Sequence, residues 1–296
     1  MKYFLTVCLV CGINMIAVSG MTVLTGYCGL FSLGHAGFMA IGAYFSACMA
    51  IYCHIPYGFA VLLGALAAVL SSFIIGYPTL KNNLSGDYFA VAMLGFGESV
   101  RLIAANMNKF IHGALGLTGV PKHTTMPIVL VVTIIVVWLI RNYLKSHYGK
   151  NLIAIRQQEV AAEMMGVNIM TNKMWALAIS AFTAGLAGAL YVFYTTTIYP
   201  TTYSSGKSTD LNAAVVFGGV NSLSGPMIAA IVLAALPEVL RTFAMWRLVV
   251  YGLLFVIIML FCPEGLFGNK EISSELKKLF RAIFRKTRKE VSDHAE

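Results

Sequence analysis

Glu98 and Arg101 stand three residues apart inside the apolar run YFAVAMLGFGESVRLIAA, residues 88–105, a spacing that puts both on one side of a helix. A carboxylate at such depth could receive the ammonium group of a small solute, or it could pair with the arginine, and pairing is the simpler reading. His35 lies among glycines in another apolar stretch and reads as a packed, hydrogen-bonded ring ahead of a titrating gate. Cys8 and Cys11 form a CxxC, but no His or acidic ligand stands near them, so they read as small apolar packing residues. Ser205-Gly206-Lys207-Ser208-Thr209 looks like the end of a phosphate-binding loop, yet Thr201 occupies the leading glycine's place and no strand precedes it. HExxH, GxSxG and any metal-spaced cluster of His, Asp and Glu are absent from the sequence. The chain is expected to do no catalysis and to bind no nucleotide, so energy for any work must enter from an ion gradient or a partner.

The elements that hold these residues belong in lipid. Hydrophobic residues make up 58% of the chain and charged ones 11%; a soluble domain has roughly 45–50% and 25%. The expected fold is an all-α membrane protein, a polytopic bundle of about 8–10 membrane segments of roughly 20 residues each. The net charge of +9 suggests nucleic acid at first, but the excess lies in the tail and the polar loops, the pattern that orients membrane proteins. No nucleic-acid partner is expected.

Lys2 and the apolar run to about residue 24 could be a signal peptide, with Ala17-Val18-Ser19 resembling a cleavage site. The run is longer than a signal core and further spans follow directly, so it reads as an uncleaved first span, and Lys2 suggests a cytoplasmic start. GYCGLFSLGHAGFMAIGAY, residues 26–44, breaks the apolar pattern with glycines, and Ser32 is placed to cap a helix over 34–52. Spans are expected over 57–77, ended by Pro78, then over 88–105 and 126–144, the last anchored by Arg141 and Lys145. A span over 175–198 ends in the aromatic belt Tyr191, Phe193, Tyr194 and Tyr199, and a last span covers 248–261. Between them GGVNSLSGP makes a second break before a helix over 226–240, with Pro226 in its first turn. Five apolar segments precede the polar loop at 145–174, an odd number that conflicts with a cytoplasmic start if the loop is cytoplasmic too.

The two breaks resemble one another. Gly29-x-x-Ser32-Leu33 and Gly219-x-x-Ser222-Leu223 each precede a helix, and paired broken segments point to internal repeats with a transport path between them. Helix N-termini after such breaks offer N–H groups and a positive dipole end to a carboxylate. Ser32, Gly34, His35, Ser222, Ser224 and Gly225, with Glu98, are therefore the candidate substrate path, against the alternative that the breaks only permit tight packing.

The polar passage NLIAIRQQEVAAEMMGVNIMTNK reads as one short amphipathic helix over 153–165, closed at Gly166 and Asn168. Enclosed between membrane spans, it looks like a handle for another protein. Glu159-Val160-Ala161-Ala162-Glu163-Met164-Met165-Gly166 resembles the EAA signature of ABC-importer permeases, which forms the helix that docks on the ATPase. Val160 stands where that signature has glutamate, and Glu159 comes one place early, a variant similar to that of the branched-chain amino-acid permeases. SGDYFAVAMLGFGESVRLI, SAFTAGLAGALY, VVFGGVNSLSGPMIAAIVLAALPEVLR and YGLLFVIIMLFCPEGLFG also resemble that family's blocks, in its order, and the match is closest to the LivM type.

The resemblance implies a permease domain over 1–268 in a bacterial inner membrane, with coupling carried by Arg156, Glu159, Ala161, Ala162 and Gly166. It implies no cofactor in this chain and Mg-ATP in two cytoplasmic ATPase partners. A LivH-like second permease subunit would complete the pore, and an extracytoplasmic binding protein would deliver branched-chain amino acids. Urea, amide and sugar permeases share the superfamily, and an ion-coupled transporter using Glu98 is the rival from another class. The tail, 269–296, carries over 274–289 the stripe Leu276, Leu279, Phe280, Ile283 and Phe284 among seven basic residues, so it is expected to lie on the anionic inner leaflet.

Overall fold

A computed structural model describes residues 2–82, 86–107, 111, 113–239 and 252. The expected last span, apart from Gly252, and the basic tail lie outside them. Among the described residues six helices are long and apolar enough to cross a membrane, which makes this an all-α, multi-pass membrane protein.

The bundle is organised around its most enclosed helix. Helix α1 (Lys2–Met21) runs on into a π-helical turn at Thr22–Tyr27, and α2 spans His35–Tyr52. Helices α3 (Tyr57–Lys81), α4 (Asp87–Asn106) and α5 (Met126–Lys145) follow. The polar loop folds as α6 (His147–Gln157) and α7 (Glu159–Met164), and α8 covers Ile169–Thr195. Two shorter helices complete the described chain, α9 (Ser205–Gly218) and α10 (Ser224–Val239). Helix α8 is 83% buried along its most apolar window, whereas α5 is 22% buried, so α8 is the core and α5 faces outward. Its sequence explains the role. ALAISAFTAGLAGAL is rich in Ala, Gly and Ser, which let α1, α2 and α3 approach its backbone.

Contacts along α8 fix the direction of its neighbours. Tyr194 donates to Thr6, and Arg156, close before α8, donates to Gly26, so α1 runs antiparallel to α8. Tyr57 packs edge-on against Phe193 and Phe73 against Trp175, so α3 is antiparallel too. The start of α1 therefore lies at the opposite end of the bundle from the polar loop. That agrees with five segments before the loop: the start and the loop cannot both be on one side of the membrane, as Lys2 and a cytoplasmic loop together would require.

Four other expectations change. Pro78 does not end α3, which continues to Lys81 because Thr79 Oγ1 donates to the carbonyls of Ile75 (2.8 Å) and Gly76 (3.1 Å). A neighbouring hydroxyl commonly makes proline tolerable in a membrane helix. Helix α8 begins at Ile169 rather than Trp175, with Asn168 Oδ1 accepting from the Thr171 N–H at 3.0 Å. The amphipathic helix over 153–165 is divided at Gln158, which is extended at φ −160°, ψ 107°. Phe193 is fully buried rather than part of an interfacial belt. At the end of the bundle away from the polar loop, Leu117–Thr118 (β1) pairs antiparallel with Thr197–Ile198 (β2) and ties the α4–α5 connection to the end of α8.

Candidate functional site

Helix α7 has only six residues, too short to persist by itself in water. Its C-terminus is closed by a full set of bonds. Gly166 sits at φ +81°, its N–H donates to Glu163 O at 2.8 Å, and the Val167 N–H donates to Ala162 O at 3.1 Å. This is a Schellman cap, which needs a left-handed residue at the position Gly166 fills. Two tethers hold α7 and its neighbour to the bundle. Glu159 Oε1 pairs with Lys173 Nζ of α8 at 2.6 Å, and the lysine side chain is only 7% exposed. A buried ammonium requires such a partner. Arg156, in the last turn of α6, reaches Gly26 O and Asn221 Oδ1 through Nη1.

The faces of α7 are unlike. Ala162 is buried, while Val160, Met164 and Met165 are 68%, 85% and 84% exposed and Ala161 is also exposed. Beside it a polar cavity of about 440 Å³ is lined by Leu80, Glu163, Gly166, Asn168 and Lys173. The loop thus presents an exposed apolar cluster beside a groove lined by charged residues.

The breaks meet near this loop. Gly29 (φ +78°) and Gly219 (φ +103°) both take a positive φ, open to glycine. Ser32, His35 and Ser222 are fully buried. His35 Nε2 meets Ser180 Oγ of α8 at 2.5 Å. Gly34 packs on the backbone of Met93, and Gly225 on that of Gly218, so both positions allow close approach. Ser222 Oγ donates to Gly219 O at 3.4 Å, and Ser224 opens α10. Ser32 is not the main cap of α2. Its Oγ accepts from the Gly34 N–H at 3.4 Å, while Ser208 of α9 accepts from the Ala36 N–H at 2.8 Å. Asn212, one turn on, donates to Ser32 O at 2.7 Å, so one face of α9 closes the first break.

Glu98 pairs with Arg101 at 2.6 Å, and its other oxygen accepts from the Ser205 N–H at 3.1 Å, at the start of α9. A carboxylate there also complements the helix dipole.

Residues 3–261 match the family described as branched-chain amino acid transport system / permease component. The chain belongs to that family. The permease is 29% identical over 292 residues to the high-affinity branched-chain amino acid transport system permease protein LivM of Escherichia coli K12, covering 87% of this chain and 68% of the relative. It is 23% identical over 241 residues to a probable branched-chain amino acid transport permease LivM of Methanocaldococcus jannaschii, covering 72% of this chain and 69% of the relative. It is 22% identical over 256 residues to the nucleoside ABC transporter permease NupC of Lactococcus lactis, covering 74% and 78%. No solved structure matches it.

In the permease, the residues missed from sequence are Ser208, Asn212, Asn221 and Ser180. Ser208 and Asn212 share one helical face, and that i,i+4 polar pair was the available signal, hidden by the likeness of SGKST to a phosphate loop. Ser208→Ala strands the Ala36 N–H at the buried start of α2. It is expected to lower stability by about 1 kcal/mol. Thermal unfolding in detergent checks this, with Thr209→Ala as control, since Thr209 bonds only within its own exposed turn.

Proposed function

We propose that this permease is one of two membrane subunits of an ATP-driven importer carrying branched-chain amino acids into the cell. Helix α7 carries the reading: a short helix, capped and tied to α8 by the Glu159–Lys173 pair, with Val160, Met164 and Met165 outward beside a charged groove. Two cytoplasmic ATPases holding Mg-ATP would take that surface, a LivH-like subunit would complete the pore, and an extracytoplasmic binding protein would deliver solute. The polar loop and the basic tail are then cytoplasmic, with the tail against anionic lipid. Two of the three relatives described above are named as branched-chain amino-acid permeases, which supports that solute class. The third is named as a nucleoside permease, which supports a second reading with a nucleoside as solute. An ion-coupled transporter is less well supported, because Glu98 is already engaged by Arg101 and Ser205.

The test is uptake of labelled leucine in cells lacking only this gene, with and without its restoration, in the presence of isoleucine, valine or uridine. Restored uptake that isoleucine and valine suppress supports the amino-acid reading. Uptake indifferent to the gene defeats it, and restored uridine uptake favours the second reading. Recovery of an ATPase with the tagged permease tests the transporter class separately.

A further inference from the structure

Arg156 belongs to the polar loop and is itself exposed, yet its guanidinium reaches back onto both glycine breaks. Nη1 donates to Gly26 O at 2.6 Å, in the last turn of the π-helical segment before the first break. Carbonyls there have lost their helical partners. The same nitrogen donates to Asn221 Oδ1, in the turn that forms the second break. Between these ends the arginine stem crosses Gly29, where a Cβ would lie 2.9 Å from Arg156 Cγ. The breaks also touch directly: a Cβ on Gly26 would lie 2.7 Å from Val220 O. Loop, first break and second break thus converge on one side chain.

The sequence places Arg156 with the ATPase-docking residues, but its contacts lead away from the exposed face of α7. We propose that Arg156 is a positioning residue, the strut through which displacement of the coupling loop moves both glycine breaks together. This rests on the importer reading given above. A residue that only capped Gly26 O would have no use for Asn221 and could be replaced by lysine. Both bonds leave Nη1, whose two N–H groups are held in fixed directions in the guanidinium plane, and an ammonium on a flexible stem does not hold such a pair. Movement of the loop without the strut would leave the breaks, and the helices α2 and α10 that follow them, uncoupled from it.

The test uses the whole importer, purified through a tag on this chain and reconstituted in vesicles, with ATP hydrolysis and labelled leucine uptake read on one sample. Arg156→Lys and Asn221→Ala are each expected to retain the ATPase at wild-type amount and to keep hydrolysing ATP. Leucine moved per ATP is expected to fall about tenfold in Arg156→Lys, within the usual range of coupling energies. The double variant is expected to be no worse than the worse single one, as for two ends of one link. Wild-type uptake per ATP in both variants overturns the strut. So does loss of the ATPase from the Arg156→Lys complex, which would make Arg156 a docking residue. Should Arg156→Lys not be recovered from membranes, Asn221→Ala decides by the same ratio, since it leaves the arginine in place. A wild-type complex that moves leucine without hydrolysing ATP defeats the importer reading and the strut with it. Coupled transport in wild type and variants alike defeats the strut alone.

Discussion

Gly166→Pro is expected to abolish uptake while leaving the permease in the membrane at near wild-type amount. Two requirements meet at Gly166. Its φ of +81° is closed to proline, which is fixed near −65°, and its N–H donates to Glu163 O at 2.8 Å, a bond proline cannot make. Without that cap the last turn of a six-residue helix has nothing to close it. Ala162 leaves its buried seat, and Val160, Met164 and Met165 lose their common orientation. The membrane helices do not depend on this turn, and a Cβ at Gly166 would meet nothing within 4 Å, so the defect stays local. Gly166→Ala therefore separates backbone from packing: it keeps the N–H and should cost only about 1 kcal/mol for the left-handed conformation. Partial uptake by the alanine variant and none by the proline variant is the expected order. A tryptophan at Ala162, buried at 5% exposure, should match proline by unseating the helix from the other side. The measurement is labelled-solute uptake normalised to permease in isolated membranes, with recovery of the ATPase as a second readout. Normal uptake by well-expressed Gly166→Pro would remove the coupling role from α7.

The same turn shows what the sequence makes legible. Gly166 and Asn168 mark a stop by their own conformational preferences, and α4 and α5 are apolar runs bounded by polar residues, so local chemistry suffices to find them. Where tertiary contacts decide, local signals mislead. Nothing in the periodicity marks Gln158 as a break; the chain divides there while Glu159 is held by Lys173 and Ala162 is seated. Pro78 signals an end, yet the helix runs on through Thr79, whose hydroxyl bonds two carbonyls of the preceding turn. Glu98 and Arg101 were legible as a pair because i,i+3 is a local relation. The Glu98 bond to Ser205 was not, since it joins residues 107 positions apart. The glycine breaks were visible, but the closure of the first by one face of α9 and the meeting of both at Arg156 depend on how distant segments pack.

Gly42→Ala is expected to destabilise the bundle, against the ordinary preference of helices for alanine. A Cβ at Gly42 would lie 2.2 Å from Gly185 O and 2.5 Å from Gly185 Cα, and one at Gly64 would lie 2.5 Å from Gly42 O. A Cβ at Gly185 would lie 2.5 Å from Ala68 Cβ. Helices α2, α3 and α8 thus cross backbone on backbone, and no flexible side chain can yield. Alanine gains up to about 1 kcal/mol in helix propensity over glycine. Overpacking of a close crossing costs roughly 1–3 kcal/mol, so packing wins, and leucine at Gly42 should prevent assembly of the bundle altogether. Gly95→Ala in α4 is the matched control, because a Cβ there meets nothing within 4 Å and only the propensity gain remains. Thermal unfolding of the detergent-solubilised permease should move in opposite directions for the two variants. A Gly42→Ala protein that unfolds at or above the wild-type temperature would mean that these helices do not cross at their backbones. The seat of His35 on Ser180, one end of the first break, would then lose the crossing that positions it. Because α8 begins directly after the polar loop, the same crossing joins that loop to α2, and on the importer reading proposed above a loosened crossing should lower uptake along with stability.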